Sequence, residues 1–341
     1  PSPHIEWKED TGYNSGKNRY VPEGAGEKET QQMNLRDIEY IVKIAEERSV
    51  TKAAEKLFIT QSALTQQLIH LEKEIGLPLF HRSRAGWTLT EAGKIYVETA
   101  QEMLRLKKDT YSRLSDLAKV KRGTLSVGFT PERGAKIFTA IYPQFHRRYP
   151  DIVVNMTEAS VRKQQKLISQ GNLDVGFVTL RDGQRTGDEY QTIREEEFIL
   201  VIPSIHPVCR EAVDTGRGPY PELPLESIRH EPFALMYKES TAHDCINDIF
   251  RQAGIVPNVL FETVRAKTIL DIAAAKMCCS IVPNSRLMEP VEGVSFFCLP
   301  EHPSWKITAS YRKGSYLSKS TKYFISLVSQ YWNELPEEAF H

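Results

Sequence analysis

Residues 34–47 carry apolar side chains at Leu35, Ile38, Ile41, Val42 and Ala45, the recurrence of an amphipathic helix. A second short helix is predicted over 51–57, with Thr51 as its N-cap. After the break Phe58-Ile59-Thr60, a third begins behind the cap Thr60, with Leu64, Leu68, Leu71 and Ile75 on one side. Its other side carries Ser62, Thr65, Gln66, Ile69 and Lys73. Between Pro78 and the segment beyond Gly86, residues 79–82 and 87–89 read as a short basic hairpin. Three helices followed by such a hairpin predict a winged helix-turn-helix. Thr90 can cap a long helix running to about residue 120, with Glu91 in its first turn, favourable for the macrodipole. Tyr96, Ala100, Met103, Tyr111, Leu114 and Leu117 make a broken apolar stripe on it, interrupted by Lys107 and Lys108. A helix of this kind, between two domains, is expected to pair with a copy of itself.

From residue 124 the period changes. Strands are predicted over 125–129, 152–156 and 175–178, with helices over 131–148 and 161–170 between them. A second set over 197–299 has strands at 198–202, 233–236 and 279–282. A strand at 307–311 and a helix at 319–332 follow. Alternating strands and helices predict α/β sheets. The domain organisation expected is a winged helix-turn-helix domain over 33–90, a linker helix suited to dimerisation over 91–122 and an α/β domain over 123–332. Within the last, subdomain I takes 123–196 and 301–332 and subdomain II takes 197–300, leaving 333–341 as a tail. Residues 1–32, poor in aliphatics, read as a disordered tail, or as an artefact of cloning or of the chosen gene start.

Composition narrows the class without deciding it. The 341 residues are 40% hydrophobic and 26% charged, ordinary for a globular protein of two or three domains. No apolar run approaches the roughly 18 residues of a membrane span, no signal peptide is visible, and a cytoplasmic location without a membrane is expected. The five cysteines, odd in number and without a C-x-x-C pair, argue against a disulfide framework or a zinc knuckle. Net charge is zero, so the chain is no generic polyanion binder, yet residues 33–122 hold 16 Lys/Arg against 12 Asp/Glu. That mild excess fits an N-terminal nucleic-acid module.

Several stretches together resemble LysR-type transcriptional regulators. They include Ala53-Ala54-Glu55-Lys56-Leu57, the run from Thr60-Gln61-Ser62-Ala63-Leu64 to Thr65-Gln66-Gln67-Leu68, Leu71-Glu72 and Gly76-Leu77-Pro78-Leu79-Phe80. Arg82 and Leu89-Thr90-Glu91-Ala92-Gly93 complete the N-terminal match. Further on, the segment 123–128, Phe145, Tyr149-Pro150, the segment 171–175 and Ile281-Val282-Pro283 stand where that family places them. The resemblance spans about 33–332 and implies an α plus α/β fold. Its parts would be a winged helix-turn-helix, a linker helix and two Rossmann-like α/β subdomains of the periplasmic-binding-protein type. It further implies binding to double-stranded DNA at an interrupted palindrome, a small-molecule effector, a homodimer or homotetramer, and RNA polymerase as a candidate partner. One departure stands out: Ala275-Lys276-Met277-Cys278-Cys279 occupies a place where Gly-x-Gly is common.

The chemistry of the third helix suits base reading. Gln pairs bidentately with adenine and Ser or Thr bonds several base edges, whereas charges mainly bind phosphate. Gln61, Ser62, Thr65 and Gln66 are therefore expected at bases, and Thr51, Lys73, Arg82 and Arg84 are also placed at the DNA. Arg82 either touches phosphate or holds the hairpin to the body; Arg84 either touches phosphate or is a solvated loop residue; Trp87 is expected to pack. In the α/β part, Thr130, Pro131, Ser160, Ser240 and Thr241 sit at strand-to-helix junctions, either as caps or as a site for an anionic ligand, most simply an organic acid. Arg133, Lys238 and Arg265 could balance its charge. No H-E-x-x-H, P-loop or G-x-S-x-G motif occurs, so no catalytic residue, metal ligand or cofactor is assigned, and Cys278 and Cys279 read as small buried hydrophobes. A solute-binding receptor using the α/β part alone would leave the helix-turn-helix unexplained.

Overall fold

The structure is a computed structural model that describes residues 34–83, 86–118, 122–131, 133–287 and 291–334. The tail expected over 1–32 falls outside these, as does most of the one expected over 333–341. The chain divides into two units, Pro1–Lys94 and Ile95–His341.

In the first unit α1 spans Leu35–Glu47, α2 Val50–Leu57 and α3 Gln61–Ile75. Ile38, Ile41, Val42 and Ile44 fill the core from α1, while Leu35 is 44% exposed, so the apolar face is rotated from the expected one. The cap of α2 is Ser49, whose side chain accepts from the Lys52 N–H, and not Thr51, which is the helix's second residue and exposed. Phe58 closes α2 in the left-handed region at φ 54°, and Thr60 opens α3 by accepting from the Ala63 N–H at 3.2 Å. Two caps two positions apart, Phe58 and Thr60, make a turn tight enough to fix α3 against α2. Strands β1 (Phe80–Ser83) and β2 (Gly86–Leu89) form the antiparallel wing. Gly93, in the first turn of α4 (Glu91–Leu117), lets that helix approach the wing's base: a Cβ there would lie 2.0 Å from the Leu79 carbonyl oxygen. Thr90 caps α4 by accepting from the Gly93 N–H.

In the second unit the rest of α4 lies along the α/β fold. Glu102, Asp109 and Asp116 recur every seven residues, so they share a face. Glu102 pairs with Arg312, Asp109 accepts from the Tyr316 N–H, and Asp116 accepts from the Tyr316 hydroxyl and the Lys319 N–H. Ile95, Met103, Leu106, Leu114 and Leu117 remain exposed beside that acidic face.

Lobe I contains β3 (Arg122–Phe129), α5 (Arg133–Arg148), β4 (Asp151–Glu158), α6 (Val161–Ser169) and β5 (Val175–Leu180). The long β6 (Glu189–Pro203) then crosses over. Lobe II contains β7 (Pro232–Met236), α7 (Thr241–Gln252), β8 (Asn258–Thr263), α8 (Ala266–Ala274), β9 (Ser280–Pro283) and β10 (Val294–Cys298). The chain returns through β11 (Ser304–Tyr311) and ends in α9 (Lys319–Asn333). β6 belongs to both lobes. Its first half pairs β11 up to Glu197, and from Phe198 it pairs β9 and β10. The core of lobe I is aromatic, with Phe129 stacked on Phe177 at 4.9 Å and Phe324 edge-on to Phe145. Lobe II closes over Phe198, Ile199, Leu200, Phe233 and Phe250.

Where Gly-x-Gly is common, Lys276 takes the left-handed conformation itself at φ 67°. The turn after α8 is thus kept without glycine. Its N–H donates to the Ala273 carbonyl at 2.8 Å, which helps offset the cost of the Cβ.

Candidate nucleic-acid interface and ligand cleft

In the first unit, burial of Leu64, Leu68 and Leu71 leaves Gln61, Ser62 and Gln66 exposed on the outer side of α3. Thr65 is half-buried and its hydroxyl donates to the Gln61 carbonyl at 2.8 Å, so it can offer a ligand only its lone pairs. Ser62 lies 3.2 Å from the Thr60 hydroxyl. Lys73 is exposed in the last turn. Arg82 has the second of its two expected roles. Its guanidinium donates to Glu72 at 3.0 Å and lies 5.0 Å from the centroid of Trp87, its cross-strand partner. Glu72 also accepts from the Leu79 N–H at 2.8 Å, so this α3 carboxylate ties the wing to the reading helix. Trp87 packs on Phe80. Arg84 lies outside the described residues.

In the second unit a cleft of about 520 Å³, including its open mouth, lies between the lobes. Thr130, Pro131, Ser160 and Val161 line it from lobe I, and Ser240, Thr241, Met236 and Val264 from lobe II. Ser160 caps α6 and Ser240 caps α7 by accepting from the Lys163 and His243 N–H groups. Both hydroxyls keep their hydrogens to donate. The Thr241 hydroxyl is spent on the Thr179 carbonyl at 2.8 Å. The first N–H groups of a helix have no intrahelical acceptor and carry its positive end. Two helix N-termini, one from each lobe, therefore meet at this cleft.

The three candidate cations do not serve it as expected. Arg265 does not line the cleft; it occupies the N-cap position of α8, where its neighbour Val264 takes the wall. Lys238 is mostly exposed, 3.7 Å from Glu262. Arg133 does reach the cleft, but its charge is already matched by the buried Glu196 at 3.0 Å. Glu196 also accepts from Trp305 Nε1 at 2.8 Å and the Ser285 N–H at 2.9 Å. Burial alone would raise the Glu196 carboxyl. The Arg133 charge and the bonds from Ser285 and Trp305 outweigh it and hold the group below its ordinary value. Sequence reasoning missed Glu196, because Glu195-Glu196-Glu197 reads as a solvated run.

A bridge joins α6 to α7. Arg162 of α6 pairs with Asp244 of α7 at 2.7 Å, and Gln184 donates to the same carboxylate at 3.1 Å. Burial pushes the Cys279 thiol up to about 12 and that of Cys245 to about 11, so neither is a thiolate near neutral pH. Among the described residues, no helix is long and apolar enough to cross a membrane.

Comparison with known proteins agrees with both modules. Residues 35–94 match the model of the bacterial regulatory helix-turn-helix protein, lysR family, and residues 118–333 that of the LysR substrate binding domain. YcgK of Bacillus subtilis, an uncharacterized HTH-type transcriptional regulator, is 27% identical over 303 residues, covering 86% of this chain and 94% of its own. AlsR of the same organism, an HTH-type transcriptional regulator, is 26% identical over 74% of this chain and 81% of its own. Among solved structures, a full-length OxyR variant of Pseudomonas aeruginosa superposes with a TM-score of 0.65 at 21% identity, covering 88% of this chain and 95% of its own. Full-length CbnR in complex with its target DNA gives 0.52 at 24%, covering 87% and 99%.

Proposed function

The chain belongs to the LysR family of DNA-binding transcriptional regulators, which are not enzymes, and on that premise we propose that it senses a small organic acid in the cleft between its lobes. The observation that carries this reading is the meeting of two helix N-termini, capped by Ser160 and Ser240, at a cleft whose arginine is already neutralised by Glu196. The α6 and α7 amides and hydroxyls then stabilise a carboxylate, and no free guanidinium is needed. The apolar wall of Val161, Met236 and Val264 takes the rest of the ligand. Ligand bound between α6 and α7 competes with or tightens the Arg162–Asp244 bridge, so occupancy biases the angle between the lobes.

The proposal extends to the assembly. The chain acts in the cytoplasm as a homodimer or homotetramer, with two α3 helices on an interrupted palindrome and RNA polymerase as a downstream partner. The exposed stripe of Met103, Leu106, Leu114 and Leu117 on α4 supports pairing through that helix. Leu106→Glu with Leu114→Glu places charges in that seam, and sedimentation is expected to shift toward the monomer. An unchanged sedimentation coefficient would remove α4 from the interface.

The ligand assignment is tested by calorimetry with a panel of organic acids and their neutral amides. Ser160→Ala removes a hydrogen bond to a charged group, worth roughly 1.5–3 kcal/mol, and loses about tenfold or more in affinity for the acid. If only neutral or cationic ligands bind, or if Ser160→Ala leaves the acid's affinity unchanged, the hydroxyls are helix caps and nothing more.

A further inference from the structure

Successive residues of β6 face opposite sides of the strand. Glu196 turns to Arg133 at the cleft; Glu197 turns away from it, to the loop by which the chain returns from lobe II. There, Glu197, Cys298 and His302 place one carboxylate oxygen, Sγ and one ring nitrogen within 4.8 Å of one another. Cys298 is the last residue of β10 and fully buried. The three groups come from β6, from the end of β10 and from the loop between β10 and β11.

His302 is held from both sides. Its Nδ1 lies 3.2 Å from Glu197 and its Nε2 3.3 Å from Glu222. Glu222 is itself fixed by Thr215 and by Arg217 at 2.5 Å. The backbone of His302 stands in the left-handed region at φ 46°, a conformation few non-glycine residues take. Gly218 completes the wall: a Cβ there would lie 2.7 Å from the Cys298 sulfur and 3.3 Å from His302 Cε1. The backbone at residue 218 can therefore approach the sulfur and the ring this closely only because it has no side chain.

We propose that Glu197, Cys298 and His302 form a binding site for a divalent transition-metal ion of the zinc class. A thiolate, an imidazole and a carboxylate are the donor set such ions prefer, whereas Mg²⁺ and Ca²⁺ select oxygen ligands alone. The ion takes the Nδ1 side of the ring with Glu197 and Cys298; the Cys298 thiol proton, and the Nδ1 proton where the ring holds one there, leave to solvent. Nε2–H then donates to Glu222, giving the carboxylate–histidine–metal arrangement in which the outer carboxylate orients the ring. Metal–ligand bonds of about 2.0–2.3 Å in tetrahedral geometry set the donor atoms roughly 3.3–3.6 Å apart, a separation close to the 3.2 Å that His302 Nδ1 and Glu197 already keep. Water fills the fourth position. An ion here clips β6, which crosses between the lobes, to the end of β10 and the loop that leads into β11, and the inference is independent of what occupies the cleft.

The test uses the full-length protein with Zn²⁺ in calorimetry and Co²⁺ in absorption. Binding of one ion per chain is expected, with release of a proton from the thiol and a thiolate-to-cobalt charge-transfer band in the near ultraviolet. Cys298→Ser loses that band. Glu222→Gln, which keeps all three ligands, weakens Zn²⁺ binding by about 10–100-fold. His302→Asn, tolerated in the left-handed region, abolishes tight binding. Absence of saturable binding overturns the site. So does binding that persists unchanged in Cys298→Ser and His302→Asn, or a bound Co²⁺ that shows no thiolate band.

Discussion

Glu196→Gln is expected to destabilise the effector domain by about 3–5 kcal/mol, because it leaves the Arg133 guanidinium buried without a counter-charge. The two side chains are 9% and 3% exposed, 3.0 Å apart, and the Trp305 and Ser285 N–H groups also point at the carboxylate. Arg133 further lies 5.7 Å from the ring centroids of both Trp305 and Trp332. Removing the charge of Glu196 leaves the guanidinium with these rings but no anion. Arg133→Met in the same chain removes the stranded cation and recovers most of the loss, since a buried ion pair replaced by neutral groups is often close to neutral in stability. Chemical denaturation of the two single variants and the double variant gives the coupling directly. The pH dependence has a definite sign. The folded Glu196 carboxyl lies below its ordinary value of 4.5. Its stabilising contribution is therefore complete above that value and disappears as pH falls through the lower, folded-state one. The wild type loses this stability in acid; the Gln variant has none of it to lose. Equal slopes for the two over that range would show that Glu196 is not the group titrating.

The second large effect is at the DNA. Gln61→Ala weakens binding to the specific operator by about 1–3 kcal/mol and relaxes preference at one base position. Gln61 is the first residue of α3 and exposed, so the substitution leaves the core untouched. Binding to random DNA, set by phosphate contacts and salt, stays nearly as it was. Titrations of operator and random duplex at several salt concentrations separate the two contributions. An unchanged ratio between the two duplexes would remove Gln61 from the bases.

The sequence made some of this legible and hid the rest for physical reasons. The Leu64, Leu68, Leu71 side of α3 was readable because one face is buried and the other solvated, which writes a period into the chain. Thr60 was readable as a cap, whereas Thr51 was mistaken for one because Ser49 stands two residues earlier and does the work. The start of β6 at Glu189 was hidden: its first half is largely polar and pairs with β11, so no apolar run announces it. The cleft residues Thr130, Ser160, Ser240 and Thr241 were legible as hydroxyls at strand-to-helix junctions. Arg265 was not excluded by any local pattern; only the course of the backbone into α8 turns Val264, rather than Arg265, to the cleft. Glu196, Glu197 and His302 were invisible because their partners lie about 60 to 110 residues away, beyond any local periodicity.

The central claim is that occupancy of the inter-lobe cleft and engagement of α3 with DNA are coupled in one molecule. Thermodynamic linkage requires the coupling to be reciprocal. The direct measurement is calorimetric titration of an organic acid selected by the panel into the full-length protein, free and saturated with operator duplex, alongside operator titrations with and without the acid. Operator is expected to change the acid's affinity by the same factor by which the acid changes the operator's. Ser160→Ala, at a matched acid concentration below saturation, is expected to lose the acid's effect on DNA while keeping operator affinity in its absence. An acid that binds equally well to free and operator-bound protein would contradict it.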